Sequence, residues 1–212
     1  MTDSPSELRA LHIADPPERW RALGFEVNAR GIARVGGIDV HLGGTGDGIT
    51  GWEISGIEPT ESLDGLATAA GATGMQSPQP AEHPNRATAI DHVVITTPDL
   101  DRTARALQRA GIPLSRIANV RSATIRQGFR RLGPAILELV ENPTGPAGPA
   151  AFWGLVFVLT DLSDVHPSLA AHLSLPRPAV QSGRRIATLD RAAGLSPRIA
   201  FMDPDRLRQS PR

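Results

Sequence analysis

Two ionisable side chains interrupt otherwise apolar stretches: His92 in "AIDHVVITTPDL" (residues 89–100) and Glu138 in "AILELVENP" (135–143). Alternate residues of a strand share a face, so His92 is expected beside Ile90, Val94 and Thr96, and Glu138 beside Ile136 and Val140. A buried carboxylate is costly unless it is paired or coordinated. An imidazole and a carboxylate facing one cavity would make half of a divalent-metal site. The plainer alternative is that His92 bonds a neighbouring group and Glu138 meets one of the many arginines. The remaining histidines, His12, His41, His83, His166 and His172, show no metal-ligand spacing. Arg131 and Phe129 of "RQGFRR" (126–131), and the arginines of "GRRIATLDR" (183–191), fall on expected strands, where they would line a cup or an ordinary exposed face.

The elements that must position these groups recur along the chain. After the strand Ala89–Thr97, Thr97-Pro98-Asp99 reads as a helix start. Leu100, Ala104, Leu107 and Ala110 form its apolar stripe, and Gly111 with Pro113 ends it. Strand-like runs follow around Ile117–Val120, Ala123–Arg131 and Ala135–Glu141. The order repeats in "AFWGLVFVLTDL", where a Thr160-Asp161 cap precedes a stripe of Leu162, Val165, Leu169 and Leu173, and strands at Arg185–Leu189 and Arg198–Met202 close the block. A shorter version opens the chain: "LRALHIA" leads into a capping box at Asp15-Pro16-Pro17-Glu18. Strands at Phe25–Val27, Ile32–Val35, Ile38–Leu42 and Ile49–Ile57 complete it. The Gly-rich "VGG" (35–37) and "LGGTGDG" (42–48) read as hairpin turns, because neither leads into a helix. The division is a short module over 1–57, a linker over 58–87, a module over 88–143, and a module with a C-terminal tail over 144–212.

The chain has 212 residues, no Cys, Lys or Tyr, and 22 basic against 22 acidic side chains. The missing cysteines remove disulfides, thiolate metal sites and thiol nucleophiles. The balanced charge gives no footprint for nucleic acid or an anionic membrane. No apolar run approaches membrane-spanning length, and a soluble, cytoplasmic protein is expected. No Walker-type loop, dinucleotide fingerprint or G-x-S-x-G elbow is present.

Taken together, "IDHVVITTPDLDRTARAL" and "GFRRLGPAILELVENP" resemble a module of the vicinal-oxygen-chelate superfamily of glyoxalases, extradiol dioxygenases, methylmalonyl-CoA epimerases and bleomycin-resistance proteins. The resemblance implies an α+β fold of repeated βαβββ modules that form cupped mixed sheets with helices outside. It also implies that metal ligands come from the first and last strands of a module, which gives His92 and Glu138 that role and makes Glu138 a candidate proton carrier. Phe129 and Arg131 become candidate substrate contacts. Aligning the third block puts Gly154 at the place of His92 and Ile199 at that of Glu138, which reduces four ligands to two. Pairing the first and second blocks instead would gather Glu53, His92 and Glu138. The expectation is therefore one divalent metal (Zn, Mn, Fe or Ni) or none, and a small-molecule ligand. Three readings stay open: a metal-dependent lyase, isomerase or dioxygenase; a metal-free, resistance-type binding protein; and a scaffold without catalysis. An odd number of half-cups would further invite a homodimer.

Overall fold

The structure is a computed structural model that describes residues 5–72, 81–120 and 125–205. Its strands are β1 (Glu7–Ile13), β2 (Ile32–Val35), β3 (Ile38–Leu42), β4 (Ile49–Ser55), β5 (Ser62–Leu63), β6 (Leu66–Ala70), β7 (Ala87–Thr97), β8 (Arg116–Val120), β9 (Ile125–Leu132), β10 (Ala135–Glu141), β11 (Ala151–Leu159), β12 (Arg177–Pro178), β13 (Arg185–Thr188) and β14 (Arg198–Met202). The helices are α1 (Pro17–Ala22), α2 (Leu100–Arg109) and α3 (Pro167–Ala170). The fold class is α+β, as expected from the sequence.

The strands form two mixed sheets, ordered β12-β13-β14-β11-β7-β10-β9-β8 and β2-β3-β1-β4-β6-β5. In the larger sheet β10 runs parallel to β7 and antiparallel to β9, while β14 runs parallel to β11 and antiparallel to β13. Each half is thus a βαβββ unit, and the halves join where β7 and β11 pair antiparallel. The smaller sheet repeats this plan in shortened form. Strand β3 is parallel to β1, β6 is parallel to β4, and β1 joins β4 antiparallel at the centre.

This plan changes the reading of the first 87 residues. Strands β5 and β6 lie inside the stretch expected as a linker; residues 73–80 of that stretch are outside the described residues, as are Ala123 and the residue after it in the strand expected at 123–131. The first block supplies two short half-units rather than one, so the count of half-cups is even and no longer calls for a second copy. Strand β4, expected to match β10, instead matches β11, the strand that opens a unit.

Local chemistry explains several boundaries. Helix α2 starts at Leu100, directly after the Thr97-Pro98-Asp99 stretch, because Asp99 is the residue that caps it, accepting from the Arg102 amide at 2.9 Å. The capping box at Asp15 does not form: α1 has Pro16 at its cap, with no side-chain cap bond, and Asp15 accepts instead from Ser196 and the Trp20 indole. The third helix shrinks to four residues behind His166 and Pro167, and Asp161 is spent on the amide of Ser163. The "VGG" turn is a hairpin, with Gly36 and Gly37 both at positive φ (59° and 86°) between β2 and β3. A Cβ on Gly36 would stand 2.7 Å from the Ala89 Cα, so this turn also sets how closely the first sheet approaches β7.

One apolar core joins both sheets. Trp20, Phe25, Phe157 and Phe201 pack with ring centroids 4.9 to 6.3 Å apart, and Trp52 of β4 meets Phe152 of β11 edge-on at 5.3 Å. Leu137, Leu139, Val93, Leu155 and Phe157 of the larger sheet are buried in this core. Alternation then turns Glu138, His92 and Val156 the other way, onto the outer face.

Candidate functional site

His92 and Glu138 do share a face. In register, β10 sets Ile136 beside His92 and Glu138 beside Val94. Across the next strand Phe129 is the partner of Glu138, and Arg131 the partner of Ile136. His92 Nε2 lies 3.2 Å from Glu138 Oε2, with side chains 11 and 17% exposed. Arg116 of β8 is next in the row, its guanidinium 5.2 Å from the Phe129 ring centroid. The other arginines of "RQGFRR", Arg126 and Arg130, alternate onto the face opposite Phe129 and Arg131. Arg126 turns to the helix side, where it binds Glu141 and Asp101.

Asp91 joins this group against the alternation rule. Val156 pairs with His92 and Phe157 with Ile90, which leaves Asp91 as an extra residue in β7. Such a bulge lets two successive side chains leave on one side, and Asp91 Oδ2 lies 2.8 Å from His92 Nδ1. Asp91 Oδ1 is 2.8 Å from Nη2 of Arg184, a side chain only 8% exposed that stands just before β13. That contact is an ion pair by distance but is not aligned as a hydrogen bond, since Nη2 has no hydrogen-bond partner. Arg184 Nε donates to the Asp203 carbonyl at 2.7 Å, which fixes the guanidinium.

The charges follow from these partners. Burial pushes the Asp91 carboxyl up, but the contacts with His92 and Arg184 outweigh it and hold the group below the usual carboxylate range. Glu138 goes the other way. Burial raises it, the nearby His92 pulls it down only in part, and the charge of Asp91 raises it further. An ionised Asp91 can only accept, so the proton of the Asp91–His92 bond belongs to Nδ1 and Nε2 is the atom presented to Glu138. The 3.2 Å separation is at the outer edge of proton-transfer reach.

Among the described residues the strands of the third unit contribute no metal ligand to this face. Gly154 and Val156 occupy it on β11, in register with Arg198 and Ala200 of β14. Ile199, aligned with Glu138 from sequence, is instead a core residue, 2% exposed. Gly154 is demanded by packing, because a Cβ there would fall 2.1 Å from the Arg198 carbonyl oxygen. The extra residue beside it, Trp153, forms a second bulge and is 51% exposed.

Glu53 is not part of the group. It lies on β4 of the smaller sheet, flanked by buried Trp52 and Ile54, and is 3.0 Å from His12. Since Trp52 points at the larger sheet, alternation turns Glu53 away from it, so Glu53 and Glu138 face opposite sides of the molecule. His41 stacks on His12 with centroids 4.9 Å apart. The donors that remain near His92 fall short of a resident divalent ion. Only His92 and Glu138 converge, where a catalytic zinc commonly has three protein ligands, and among the described residues no group of three or more His, Asp or Glu side chains is arranged to hold a metal.

Asp91 and Arg184 were the residues missed. The pair "DH" was visible in the sequence, but alternation assigned the two to opposite faces. Arg184 lay within a stretch marked for its arginines, with nothing to single it out.

No protein-family model matches the sequence, and no curated protein does. Among solved structures, the chain is similar to methylmalonyl-CoA epimerase from Mycobacterium tuberculosis, at 18% identity over 64% of this chain and 97% of that one, with a TM-score of 0.47. A methylmalonyl-CoA epimerase in complex with methylmalonyl-CoA and NH4+ matches at 19% identity over 59 and 99% of the two chains, with a TM-score of 0.46. A hypothetical protein from Bacillus halodurans matches at 14% identity over 58 and 97%, with a TM-score of 0.45. No helix among the described residues is long and apolar enough to cross a membrane.

Proposed function

We propose that the chain is a vicinal-oxygen-chelate-type protein that binds a small molecule on the outer face of its larger sheet and moves one proton there, an isomerase- or lyase-type reaction that uses no metal. The observation that carries this reading is the Asp91–His92–Glu138 chain, at 2.8 and 3.2 Å. Asp91 holds the imidazole in one tautomer and one orientation. Glu138, raised by burial, is the more basic carboxylate and takes a proton from carbon next to a carbonyl, and Nε2 of His92 accepts that proton from Glu138 and relays it to a second atom on the same side of the ligand. A base tuned toward the working pH is what such proton abstraction requires. The paired βαβββ topology supports the superfamily reading.

The test is exchange of a substrate C–H proton with solvent deuterium, followed by NMR over a panel of small carbonyl compounds in the presence of a chelator. Exchange that survives the chelator and is lost in Glu138→Gln agrees with the proposal. Exchange abolished by the chelator and restored by a divalent ion contradicts it. A second reading, binding without turnover, is favoured by the half-exposed Trp153 and by Phe129 beside Arg116, an aromatic and cationic surface suited to flat ligands. Saturable ligand binding with no exchange for any compound would select it.

A further inference from the structure

A cavity of about 230 Å³ opens beside Asp91, lined among others by Ile136, Val158, Arg131, Arg184, Gln181 and Asp205. We propose that this cavity is a carboxylate-binding subsite, in which Arg184 and Arg131 hold the charged end of the ligand. Arg184 is more than nine-tenths buried, and its Nη2 has no hydrogen bond. That atom lies 2.8 Å from Asp91 Oδ1, an ion pair out of hydrogen-bond alignment, so its N–H groups are open to a ligand acceptor. Arg131 stands at the rim, its Nη1 held by the carbonyls of Gly133 and Pro134.

Charge and size select the class. Two guanidinium groups face two carboxylates, so a dianion such as phosphate meets more repulsion than a planar monoanion that offers one edge to a guanidinium fork. The small volume suits an acid of few carbons. Position links the cavity to the proton site through one side chain: Asp91 turns Oδ1 to Arg184 and Oδ2 to His92. Asp91 is thus shared by the cavity wall and the His92–Glu138 pair. The inference rests on the proton-transfer reading for its purpose, though not for its test.

The test is an NMR titration of the ¹⁵N-labelled full-length protein with sodium acetate and sodium propionate, matched in ionic strength with sodium chloride, alongside inorganic phosphate. Saturable shifts at the amides of residues 89–91 and 181–184 are expected with the carboxylates. Arg131→Gln, an exposed position that leaves the core intact, should weaken binding about tenfold or more, as loss of a charged hydrogen bond does. Arg184→Gln should do the same, and its amide spectrum shows whether the fold is kept. Glu138→Gln should leave acetate binding unchanged while removing C–H exchange, which separates this subsite from the reaction. Phosphate binding tighter than carboxylate, equal binding in Arg131→Gln, or no binding at all would overturn the proposal.

Discussion

Replacing Asp91 by Asn tests the wiring of the site in a single step. The amide oxygen can still accept from Nδ1 of His92, so the tautomer survives, but the charge facing Arg184 is gone. Removing one partner of a buried ion pair costs about 3–5 kcal/mol. Here the guanidinium keeps its bond to the Asp203 carbonyl, and its contact with Asp91 is not hydrogen-bonded. A smaller loss than that range, about 2–3 kcal/mol, is therefore expected, because the guanidinium keeps a partner and relaxes. For a chain of this length that is a fall in Tm of roughly 4–12 °C. Urea unfolding followed by tryptophan fluorescence measures it, with Trp20 and Trp52 in the core as reporters. The pair with Arg184→Gln closes a double-mutant cycle, in which the two losses should be clearly non-additive. The sign with pH also follows. The lowered Asp91 contributes stability that is present above its unfolded value of 3.8 and is lost as pH falls through its lower folded value. The variant should therefore lose its disadvantage in strong acid. A cost below about 0.5 kcal/mol, typical of surface changes, or additive losses in the cycle, would refute the assigned role of Asp91.

Other outcomes follow from the same geometry. Glu138 is raised in the folded state, so folding favours its protonated form, and stability attributable to it falls as pH climbs from the ordinary value of 4.5 toward the folded one; Glu138→Gln should be more stable than the parent at neutral pH and flatter across that window in urea titrations. Phe157→Ala removes the ring shared by Trp20, Phe25 and Phe201 and should cost about 3–5 kcal/mol by thermal denaturation. Gly154→Ala must displace the Arg198 carbonyl, and a loss of about 1–3 kcal/mol, typical of overpacking, should accompany shifted amide signals along β14.

Much of this architecture was legible from periodicity. The apolar alternation of β7 and β10, the stripe of α2 and the double-glycine hairpin each reflect a local rule that the fold kept, whereas bringing His92 and Glu138 together needed the module resemblance as well as alternation. What escaped had local causes too. A bulge adds one residue without disturbing an apolar run, so neither Asp91 nor Trp153 could be assigned its side. Strands β5 and β6 are short and built from Ser, Leu, Ala and Thr, which reads like linker composition. Pairing the first and second blocks would have gathered Glu53 with His92 and Glu138, yet pairing between sheets, which decides their sides, leaves no trace in spacing. The third helix was overextended because its apolar stripe continued past Pro167, whose ring starts a helix more readily than it permits one to pass.

The central claim is that His92 belongs to a proton-carrying chain and not to a metal. The ¹⁵N resonances of its ring, recorded in chelator and again with one equivalent of zinc, test this most directly. A protonated Nδ1 in both samples, with Nε2 unmoved by zinc but shifted by Glu138→Gln, is the predicted result. A stoichiometric zinc-dependent shift of Nε2 that vanishes in Glu138→Gln would contradict it.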